Sequence, residues 1–86
     1  MDRNDDIRES IRTFLKTDPI YRGLLPTNFG DEFKLVESGA LDSIGIFNLV
    51  SFLEKKFHIS IEPQDLNENY FGTVSSIEAF VISRQK

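Results

Sequence analysis

Ile46, Leu49, Val50, Leu53 and Phe57 recur at three- and four-residue intervals, so one helix from about Ser43 to Lys56 would carry all five on a single apolar stripe. That stripe is a core face, and it must be buried. A chain of 86 residues has room for one domain, near the small end of what holds together without staples. Cysteine is absent, which removes disulfides, thiolate metal sites and a cysteine nucleophile together. Packing has to supply the stability.

Two more helices follow from the same reasoning. Ile7, Ile11, Phe14 and Leu15 are helically spaced behind Asn4, Asp5 and Asp6, which offer a cap and favourable negative charge, so a first helix is expected over residues 4–16. Near the end, Thr73 is placed to cap a helix to about Arg84 that turns Val74, Ile77, Phe80 and Val81 inward. Between the first two helices the turn signals Asp18-Pro19, Leu25-Pro26 and Asn28-Phe29-Gly30-Asp31 mark a long loop. Leu24, Leu25, Phe29, Phe33 and Leu35 should pin it to the core, with one helical turn around Gly30 to Val36. His58 to Pro63 alternates too briefly for a sheet and reads as an extended connector burying Ile59 and Ile61. Gln64 to Tyr70 is either a short third helix or a turn. The expected fold is all-α: a small bundle of three main helices plus one short helix, with a long first loop and a single domain over residues 1–86.

Composition closes off several functions. Formal net charge is −4, which disfavours nucleic acid and suits basic protein partners. The charged start Met1-Asp2-Arg3-Asn4-Asp5-Asp6 lacks the apolar core of a secretory signal, and no stretch approaches the ~20 apolar residues of a membrane span. A cytoplasmic monomer is the expectation. One histidine and scattered carboxylates give no clustered metal ligands. The histidine, His58, lies fifteen residues beyond Ser43, roughly 20 Å along a helix, against the ~3 Å that a Ser–His pair requires. His58 reads instead as a surface residue at a helix carboxyl end.

Ser43 stands where a loop gives way to the most apolar helix, in Glu37-Ser38-Gly39-Ala40-Leu41-Asp42-Ser43-Ile44-Gly45. A hydroxyl there faces solvent near the positive end of the helix dipole, a suitable place for a phosphate-linked group. The plain alternative is that Ser43 only helps to start the helix. Asp42, however, already supplies a capping carboxylate, which leaves the Ser43 hydroxyl free at the first helical position.

Taken together, Gly39-Ala40-Leu41-Asp42-Ser43-Ile44, then Leu49, Leu53-Glu54-Lys55-Lys56-Phe57-His58-Ile59-Ser60-Ile61, then Phe71-Gly72-Thr73-Val74 and Ile77 resemble the acyl carrier protein family, in order and over more than half of the chain. The resemblance implies an acyl-carrier-like bundle whose Ser43 is esterified with 4'-phosphopantetheine from coenzyme A by a phosphopantetheinyl transferase, with Asp42 aiding the modification. The thiol of that arm would hold an acyl or aminoacyl thioester, and the protein itself would catalyse nothing. A loading ligase and acyltransferase or synthase enzymes would be its partners.

On the outer face of the second helix, Ile44, Phe47, Asn48 and Ser51 have two readings. The apolar pair Ile44 and Phe47 either tucks under the long loop or forms a docking patch beside Ser43. The stretch from Ser43 to Leu53 has no charged residue, unlike the acidic second helix of familiar fatty-acid carriers, so electrostatic steering there should be weak. Negative charge gathers at Glu62, Asp65 and Glu68, as a docking surface for a basic partner or as ordinary solvated surface. This departure, with the Gly-Ala-Leu-Asp-Ser-Ile-Gly phrasing, is more similar to free-standing carriers dedicated to one pathway, D-alanyl and other aminoacyl carriers among them. Eight phenylalanines suggest a dense core and small cargo. The rival function is an unmodified helical interaction domain that uses the Ile44/Phe47 face.

Overall fold

A computed structural model describes residues 3–21, 23–26 and 28–85, with side chains from Asp6 onward. Its elements are α1 (Arg3–Thr17), a 3-10 turn (Pro19–Tyr21), α2 (Ser43–Phe57), a second 3-10 turn (Pro63–Asp65), α3 (Glu68–Phe71) and α4 (Val74–Arg84). No strand occurs among the described residues. The all-α architecture of three longer helices and one short one is therefore the one that the apolar spacing predicts.

Each stripe goes inward. Ile7, Ile11 and Leu15 of α1, Leu49 and Leu53 of α2, and Val74, Ile77, Phe80 and Val81 of α4 are buried in one core with Phe71 of α3. Phe14, Ile46, Val50 and Phe57 lie at its edge, half-buried. The most extensive helix–helix contact is that of α1 with α4. The radius of gyration is 11.8 Å, close to the roughly 12 Å of a well-packed chain of this length.

Helix ends are set by local chemistry. α1 begins at Arg3, so Asn4 and Asp5 sit inside its first turn, and the position that caps it falls outside the described residues. Thr73 caps α4: its hydroxyl accepts from the Ser76 N–H while the Ser76 hydroxyl accepts from the Thr73 N–H. His58 ends α2 in the left-handed region, at φ 57°, and its N–H donates to the Glu54 carbonyl. Beyond it Ile59 is buried and Ile61 half-buried, as expected of the connector, and the Ile61 N–H donates to a Glu54 carboxylate oxygen.

The loop departs from expectation in two places. Residues 30–36 form isolated turns rather than a helical turn; the helical turn lies earlier, at Pro19–Tyr21, where Pro19 presets φ and the Asp18 carboxylate accepts from the Ile20 N–H. Leu24 is 47% exposed instead of pinned inward, whereas Tyr21, three residues earlier, is buried. Phe29 and Leu35 are buried as expected. The segment read as one short helix or turn divides into the second 3-10 turn and α3, since the Asn67 side chain caps Tyr70 N–H and restarts the helix there.

Candidate functional site

The approach to Ser43 is fixed from the core outward. Leu35 N–H donates to the Gly72 carbonyl at 2.7 Å and Leu41 N–H to the Leu35 carbonyl at 2.9 Å, while Leu35, Ala40 and Leu41 are buried. Gly39, at φ 86°, makes the turn between them in a backbone region that side chains disfavour. The chain then emerges at Asp42 in extended geometry, φ −88° and ψ −171°, and enters α2 at the next residue.

Asp42 is the cap: its Oδ1 accepts from the Gly45 N–H at 2.8 Å. Ser43, the first residue of α2, is exposed, and no hydrogen bond to its hydroxyl occurs among the described residues. The capping duty has thus gone to the carboxylate next door. An anionic ester on the Ser43 oxygen would sit at the positive end of α2's dipole.

Behind this helix start lies a polar brace. Tyr21 Oη donates to the Gly45 carbonyl at 2.6 Å, and Asn48 Nδ2 donates to Asp18 Oδ2 at 2.9 Å. Gly45 leaves little room for a side chain: a Cβ would come within 3.1 Å of Tyr21 Cε1 and 3.3 Å of Asp42 Oδ1, so these neighbours would have to give way by a few tenths of an ångström. Burial pushes the Tyr21 phenol up to about 12; the Asn48 hydrogen bond opposes the rise, and the negative charges of Asp18 and Asp42 add to it. The phenol is therefore a dependable donor at neutral pH.

The outer face of α2 is open. Ile44 and Phe47 are 68% and 70% exposed, so the long loop does not fold over them. Instead the loop adds to their surface: Ile20, 39% exposed, joins Ile44, Phe47, Asn48 and Ser51 around a shallow depression of about 290 Å³. Asn48 is only half exposed because its amide is held by Asp18, and Ser51 is exposed. The structure brings Asp42, Ser43, Ile44 and Phe47 onto one helix end, with Asn48 and Ser51 along the same side.

The acidic group at 62–68 does not form one surface. Asp65 is buried, accepts from the Glu62 N–H and pairs with Arg84 at 2.8 Å, while Glu62 and Glu68 remain exposed. The Glu62 N–H and then Arg84 hold the Asp65 carboxyl below the usual carboxylate range, against the desolvation that comes with its burial. Asp65 is thus a structural clasp between the second 3-10 turn and α4.

His58 is exposed at the far end of α2 from Ser43. Among the described residues no group of three or more His, Asp or Glu is placed to hold a metal ion, and no helix is long and apolar enough to cross a membrane. No family model and no curated protein matches this chain.

Sequence reasoning overlooked Asp18, Ile20 and Tyr21 as parts of this site. An Asp-Pro turn followed by Ile and Tyr was the available signal: such a turn, two residues before an aromatic, can anchor a loop by that ring and leave its neighbour outside.

Proposed function

We propose that this chain is an acyl carrier protein, holding an acyl or aminoacyl group as a thioester on a 4'-phosphopantetheine arm at Ser43 and presenting it to partner enzymes. The observation that carries the reading is the division of labour at the start of α2: Asp42 seals the helix, and the Ser43 hydroxyl is exposed and unengaged. The bare apolar pair Ile44 and Phe47 beside it supports a docking surface for the enzymes that load and unload the arm. A flexible arm on a rigid helix end lets one tethered intermediate visit several active sites at high effective concentration. In this reading the chain performs no catalysis, Asp42 assists the modifying transferase, and the work takes place in the cytoplasm.

The exposure of Ile44 and Phe47 favours a second reading as well, an unmodified interaction domain that grips a partner by that pair. Intact-mass analysis separates the two. After incubation with coenzyme A and a broad-specificity phosphopantetheinyl transferase, the carrier gains one arm and Ser43→Ala gains none. A chain that keeps its original mass beside a control carrier that is fully modified overturns the first reading.

A further inference from the structure

A wider groove runs along the seam of α1 and α2, on residues that the Ser43 site does not use. It encloses about 580 Å³ and is lined by Asp6, Glu9, Ser10 and Thr13 with Phe14 on one side, and by Phe52, Lys56 and Phe57 on the other. Phe14 and Phe52 stack at 4.2 Å with their planes 12° apart, and Phe57 meets Phe52 edge-on at 6.4 Å. These three rings make an apolar floor that is only half-buried. The walls differ in charge: α1 presents the carboxylates of Asp6 and Glu9, and α2 presents the ammonium of Lys56. No ion pair among the described residues engages any of the three.

The spacing of Asp6, Glu9, Ser10 and Thr13 sets the length of the trough at two helical turns, roughly 10 Å. An aromatic floor between two helices is the shape that receives a third, and walls of opposite sign select what may flank its apolar face. We infer that this groove is a second docking site, which takes a two-turn amphipathic helix of a partner protein, basic along the edge meeting α1 and acidic along the edge meeting α2. The two charged edges also fix the direction in which that helix runs. Lys56 lies thirteen residues from Ser43 on α2, roughly 20 Å away, so a partner seated here leaves the Ser43 end uncovered. The inference is independent of what Ser43 carries.

The test uses the full unmodified chain and three synthetic helical peptides with identical Leu and Phe anchors. One has a Lys edge and a Glu edge, one has Lys on both, and one has Glu on both. Titrations followed by amide chemical shifts should rank the mixed peptide first, tighter than the all-Lys peptide by roughly three- to five-fold although the chain is net negative. The shifts should concentrate on residues 6–14 and 52–57. In Lys56→Glu, a substitution at an exposed position, the all-Lys peptide should move into first place. The inference is overturned if the all-Lys peptide already ranks first with the unaltered chain, or if the shifts gather around Ile44 and Phe47. It is equally overturned if no peptide binds, or if the groove resonances move with protein concentration alone, which marks a second copy as the occupant.

Discussion

The phenol of Tyr21 and the main-chain carbonyl of Gly45 meet in a 2.6 Å hydrogen bond that ties the long loop to the first turn of α2. Tyr21 is 1% exposed, so the bond forms away from competing water. It places the loop against the helix that begins at Ser43, and Ile20 beside Ile44 and Phe47.

Tyr21→Phe should cost about 1–2 kcal/mol, the worth of a buried hydrogen bond that leaves its ring packing in place. The pH dependence carries a sign. Folding raises the phenol from 10.0 to about 12, so above pH 10 the unfolded chain releases a proton that the folded one keeps. The stabilisation is fully present below pH 10 and is lost as pH climbs toward 12. Urea unfolding at a series of alkaline pH values should show a steeper fall for the parent chain than for Tyr21→Phe; parallel curves would contradict the assignment.

Asp42 and Ser43 should separate cleanly on mutation. Asp42→Ala removes the cap on Gly45 N–H and should lower stability by about 1 kcal/mol. Ser43→Ala removes a hydroxyl that has no partner among the described residues and should stay within about 0.5 kcal/mol of the parent. Equal losses in urea unfolding would show that the serine shares the capping role.

Phe47→Ser tests the open face. With the ring 70% exposed, its loss should change stability by no more than about 0.5 kcal/mol. If the face anchors the enzymes that act at Ser43, kcat/KM for loading by the cognate ligase should fall about tenfold or more. A loading rate equal to that of the parent chain would move docking elsewhere.

His58 occupies the left-handed position that ends α2, where glycine is relieved of the Cβ penalty. His58→Gly should therefore raise stability, by about 0.5–1 kcal/mol, because the exposed imidazole contributes little packing. Thermal unfolding of the variant should shift upward; a downward shift would reveal a contact made by the ring.

The parts of the fold that were legible in the sequence are those where burial imposes a period. Leu49 and Leu53, or Val74, Ile77 and Val81, cannot be spaced as they are without declaring a helix face, and the caps Asp42 and Thr73 announce themselves by residue type beside those runs. Tyr21 could not be found this way, because its partner Gly45 is distant in sequence and the contact exists only once the loop has closed. The same holds for Asp65, which looks like one more surface acid until Arg84 arrives from α4. Ile44 and Phe47 were visible as an apolar pair, but covered and open positions for them have the same sequence. At the candidate site the placement of Ser43 was therefore readable, and the loop that frames it was not.

Since a neighbouring carboxylate closes the helix, nothing in the architecture depends on the proton of the Ser43 hydroxyl. Esterifying that oxygen, or stripping the ester away, would leave every internal hydrogen bond of the bundle as it was. Interconversion between bare and decorated forms would involve no refolding, and a shift in melting between them would come from the charge of the ester at the positive end of the helix rather than from a lost hydrogen bond.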